Sequence, residues 1–121
     1  MRLRAALAAL YCADMTMLLI EDLVPRESTS PQAKRPVILE GPLAGNAAYL
    51  AALSAALQPR SLLQSADTLE GTARGAWMLA WWQVPGADAG GAPAPVQGPS
   101  REVAGLLRAH RRAFLACVKT T

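Results

Sequence analysis

The sequence predicts an α/β fold in the order helix-strand-helix-strand-helix, with a parallel strand pair and a further helix at the C-terminus. Three observations carry this. Two short apolar runs, "PVILE" and "RSLLQS", are bounded by turn-forming residues, as buried strands are. An Ala/Leu-rich stretch between them is long enough to cross over between parallel strands. Apolar residues recur every three or four positions toward both ends of the chain. Composition agrees: 121 residues with 52% hydrophobic and 17% charged side chains can bury the core of one domain and are unlike a disordered chain.

Residues 3–24 form the first predicted helix. Leu3, Leu7, Tyr11, Met15 and Leu18 share one face, which is expected to be buried, and Ala, Leu and Met crowd the other faces too. Pro25 ends the helix, and "RESTSPQAKRP" is a polar loop. The run "PVILE" is the first strand. Asn46 is placed to cap a helix over residues 46–57, which Pro59 stops. The run "RSLLQS" is the second strand, and "DTLEGTARGAWMLAWW" opens a helix over roughly 69–83. Residues 85–99, rich in Pro, Gly and Ala, are expected to be a linker or surface loop. The last helix starts near Ser100. Its apolar face holds Val103, Leu106, Leu107, His110, Phe114, Leu115 and Val118. Only two strands are visible, so both sheet edges would stay open, which suits part of a larger α/β domain.

Several function classes are disfavoured. A net charge of +3 is too small an excess to imply a nucleic-acid partner, and "RAHRRAFLACVK" interleaves only Phe114 among its basic residues. Cys12 and Cys117 show no zinc or redox spacing and are expected to be buried, reduced thiols in a cytoplasmic protein. Arg2 and Arg4 before "AALAALYCA" resemble the start of a leader, but Asp14 interrupts the apolar run. No apolar segment is expected to reach the roughly 18 residues of a membrane span. Asp14, Glu21, Asp22, Asp67 and Glu70 are expected to be solvated near helix ends. His110 has no carboxylate or nucleophile at a telling spacing, and Trp77, Trp81 and Trp82 are spaced for helix packing.

The stretch that bears on function is "LEGPLAGN". After a strand, Gly41 lets the chain approach another group closely, and Asn46 opens a helix whose free N–H groups favour an anion. In an open α/β sheet, ligands lie beyond the C-terminal ends of the strands, where this turn falls.

"PVILEGPLAGNAAYLAALSAAL" followed by "RSLLQSADTLEGTARGAWMLAW" resembles the C-terminal portion of FGGY-type carbohydrate kinases, in the sugar kinase/actin/Hsp70 group. The matching residues are Glu40, Gly41 and Asn46, then Glu70, Gly71, Thr72, Ala73, Gly75 and Ala76. The resemblance covers about residues 3–83 and implies an incomplete ribonuclease-H-like domain over residues 1–84, which the linker 85–99 and a basic amphipathic helix over 100–121 follow. It implies that Gly41, Pro42 and Asn46 line an ATP site, with Mg in the complete enzyme, and that Gly71 and Gly75 serve packing.

The match departs from the family pattern in two places, and the first lowers the grip expected of that site. Pro42 stands where many members have a second glycine, and proline has no N–H to offer a phosphate. Arg74 and Trp77 replace residues that are often small or aliphatic. No Asp-x-Gly-Thr-like turn opens the chain, and a kinase of this kind needs a catalytic Asp and a phosphate-binding turn in an N-terminal domain. The expectation is therefore a C-terminal fragment with weak or absent nucleotide binding and no activity alone. The alternative is a non-enzymatic module that pairs with a separate kinase half or with itself.

Overall fold

Helix α1 occupies Arg2–Leu23, strand β1 Val37–Leu39, helix α2 Ala47–Leu57, strand β2 Leu62–Gln64, strand β3 Ala94–Pro95 and helix α3 Arg101–Val118. These come from a computed structural model that describes residues 2–23, 35–65, 76, 79–80 and 92–118. The helix expected over 69–83 lies outside the described residues except for Ala76, Leu79 and Ala80, which are helical. The "EGTARG" motif, the three tryptophans and residues 85–91 of the expected linker lie outside them as well.

Strands β1 and β2 pair in parallel, Val37 with Leu62, Ile38 with Leu63 and Leu39 with Gln64. Bonds from Val37 N to Ser61 O and from Ser65 N to Leu39 O, each 3.0 Å, extend the ladder at both ends. The sheet order is β1-β2-β3, and β3 runs antiparallel to β2. This third strand was not visible in the sequence. It spans two residues ending in Pro95, too short to show a period, and sits inside the segment that reads as linker. It covers the β2 edge that two strands alone would leave open.

The core lies between the sheet and the α1/α2 pair. Tyr49 and Leu53 on α2 are its largest fully buried side chains, and Ala9, Ala13 and Met17 on α1 pack there with Leu57 and Leu62. Small α1 residues let the Ala-rich α2 approach closely. Thr16 Oγ1 donates its one proton to Cys12 O at 2.8 Å, so Tyr49 Oη, 3.0 Å away, donates to Thr16.

Four expectations need correcting. The stripe Leu3–Leu7–Tyr11 is not buried: Leu3 is 76% exposed, and the Ala9–Ala13–Met17 face takes its place. With most faces apolar, spacing alone does not choose between them. Strand β1 is not buried on both sides, because Val37 and Leu39 join the core while Ile38 faces outward. Cys117 is exposed and Cys12 half-buried. Finally, Leu3–Leu23 is, by length and composition, apolar enough to cross a membrane. Here that helix packs one face on α2 and buries Asp14 against α3, while only 22% of its apolar window is buried.

Candidate functional site

The turn after β1 forms a corner in which each bond has a local cause. Gly41 adopts φ 93° and ψ −176°, a region that only glycine populates readily. Pro42 follows at the start of a 3₁₀ turn, Pro42–Gly45, where its missing N–H and fixed φ are tolerated. Ala44 N donates to Gly41 O and Asn46 N to Leu43 O, each at 3.0 Å. Ala44 is fully buried, and its carbonyl accepts from Gln64 Nε2 at 2.9 Å, which ties the corner to the neighbouring strand β2.

Asn46 caps α2 as its position suggested. Its Oδ1 accepts from Tyr49 N at 3.0 Å, satisfying one of the free N–H groups at the helix start. That use of Oδ1 leaves the Nδ2 group as a donor with no protein partner among the described residues.

The three residues picked out in the sequence, Gly41, Pro42 and Asn46, therefore stand together at the C-terminal end of β1. A Cβ placed on Gly41 would meet nothing within 4 Å, so the space beside this backbone is open. Gly41 permits close approach and Asn46 offers a donor, while Pro42 removes one amide. Among the described residues no group of three His, Cys, Asp or Glu is gathered to hold a metal, so this corner assigns no ligands to Mg.

A second cluster was missed from the sequence. Asp14 is only 5% exposed, not solvated at a helix end. Arg111 Nη1 lies 3.4 Å from Asp14 Oδ1 and 3.4 Å from its backbone O, and Nη2 donates to Glu21 Oε1 at 3.0 Å. Asp14 Oδ2 lies 3.1 Å from His110 Nδ1, close enough for an ion pair but without hydrogen-bond alignment. His110 thus does face a carboxylate, one far away in the sequence. Tyr11 meets Phe114 edge-on, with centroids 5.8 Å apart at 81°. Asp14 and Glu21, two turns apart on α1, are the local trace of this cluster. A carboxylate set into an apolar helix was the available signal for a buried pair.

Residues 1–89 match the family described as "Carbohydrate kinase FGGY, C-terminal domain". No curated protein and no solved structure matches the chain. The strand, glycine corner and Asn-capped helix all lie within the matched residues, and the chain belongs to the FGGY carbohydrate kinase family through this C-terminal domain.

Proposed function

We propose that this chain forms the C-terminal wall of the nucleotide cleft of a carbohydrate kinase, which transfers a phosphoryl group from ATP to a sugar hydroxyl. The observation that carries the proposal is the open, glycine-bordered corner at the C-terminal end of β1, in a chain of this family. ATP, bound with Mg, supplies the transferable phosphoryl group. The chain's own contribution is binding and orientation. Gly41 lets the backbone lie against the nucleotide, and Asn46 Nδ2 donates to an acceptor on it. Pro42 limits the grip because one amide of the corner is missing.

The described residues bring no acid to this corner except Glu40, which is exposed and next to Gly41. A general base for the sugar hydroxyl and the opposite wall would come from a second polypeptide or domain. The exposed apolar side chains of α1, with Leu3 and Leu7 on one face and Leu19 on another, support a protein partner of this kind or a second copy of the chain. We place the protein in the cytoplasm, where its thiols stay reduced.

Turnover of ATP by the purified 121-residue chain tests the division of labour. The expected result across a panel of sugars is no phosphorylation above the enzyme-free background. Sugar-dependent ATP consumption by the chain alone overturns the proposal.

A further inference from the structure

At the far end of α2 from the Gly41–Asn46 corner lies an open groove of about 640 Å³. One wall is the end of α2, with Ala55, Ala56 and Gln58, and the other is α3, with Gly105, Arg108 and Arg112. Arg111 also lines it, but its guanidinium is committed to Asp14 and Glu21. Arg108 and Arg112 are exposed and have no acidic partner among the described residues. No acidic residue lines the groove or stands three or four positions from either of them on α3.

Two like charges one helical turn apart oppose the helix that carries them, and an anion between them removes that opposition. The C-terminal end of α2 carries a partial negative charge of roughly half an electron, which two full guanidinium charges outweigh. Gly105 sets the groove's depth: a Cβ built there meets nothing within 4 Å, so the absent side chain leaves the α3 wall open. The volume lies in the range of small-molecule pockets, roughly 300–1,000 Å³, and the guanidinium fork matches phosphate oxygens.

We propose that this groove is a binding site for a small polyphosphate anion, held between Arg108 and Arg112. This goes beyond the nucleotide-wall reading, because α2's 11 residues put the two sites about 16 Å apart at ~1.5 Å per residue.

Calorimetric titration with inorganic triphosphate at about 0.1 M salt tests the inference, because this probe carries no adenine. The expected result is saturable one-to-one binding. Arg108→Gln/Arg112→Gln weakens it at least about tenfold, as loss of charge-assisted bonds does. Gly105→Leu, which keeps both charges but fills the groove, weakens it similarly. Circular dichroism of both variants is expected to match the parent, since Arg108 and Arg112 are exposed and a Cβ on Gly105 meets nothing within 4 Å. Asn46→Ala leaves triphosphate binding unchanged, which separates this site from the corner. A polyphosphate borne on a nucleotide is distinguished by competition: ATP displaces triphosphate in the Asn46→Ala chain if it uses the groove, and its failure to do so restricts the site to inorganic chains. The inference is overturned by absence of saturable binding, by loss on Asn46→Ala, or by Gly105→Leu binding as tightly as the parent, which marks diffuse surface attraction.

Discussion

Replacing Asp14 with alanine is expected to destabilise the chain by about 2–3 kcal/mol and to loosen α3 against α1. Breaking a fully buried pair costs roughly 3–5 kcal/mol, because the remaining charge stays buried without its partner. Arg111 is 12% exposed at its side chain and keeps Glu21, which is more open at 33%, so the loss falls below that range. His110, at 39%, reaches solvent and adds little. At roughly 4 °C per kcal/mol for a domain of this size, the melting temperature drops by about 10 °C. Arg111→Met in the Asp14→Ala background is expected to recover part of the loss, since it removes the guanidinium, 12% exposed, and the carboxylate it leaves, Glu21 at 33%, is open enough for water to solvate. Thermal denaturation of the single and double variants reads both effects. A double variant less stable than Asp14→Ala contradicts the account of this cluster.

Gly41→Ala is expected to cost about 1–3 kcal/mol through backbone strain alone. The side chain itself has room, with nothing within 4 Å of its Cβ, so the penalty comes from holding alanine at φ 93°. The chain can relieve it only by turning the corner away from β2, against the Gln64–Ala44 bond at 2.9 Å. Gly45→Ala is the control. It lies four residues along in the same turn, its φ is outside the left-handed region and its surroundings are open, so it is expected to be neutral or stabilising by up to ~1 kcal/mol. Chemical denaturation of the two variants distinguishes conformational strain from lost packing. Equal destabilisation by both contradicts the strain argument.

The features set by local chemistry were legible in the sequence. The two apolar runs became β1 and β2 in the expected parallel pairing, and Asn46 caps α2 because its side chain reaches the N–H three residues on. Gly41 and Pro42 likewise occupy positions that their own backbone preferences select. What stayed hidden depends on distant partners. Asp14 and Arg111 are 97 positions apart, so neither residue's neighbours announce the pair. The face of α1 that turns inward is chosen by the Ala-rich surface of α2, not by the larger aliphatics of α1 itself. Strand β3 consists of two residues held by pairing with β2, with no pattern of its own.

The corner's assignment as a nucleotide wall is tested most directly by titrating the isotope-labelled chain with ADP and Mg while following each backbone amide. The account predicts weak, saturable binding, with a Kd on the order of 1 mM, whose shifts concentrate at Gly41 and Leu43–Ala48 and disappear in Gly41→Ala. Saturable ADP binding that leaves those amides unmoved, or no binding into the high millimolar range, contradicts it.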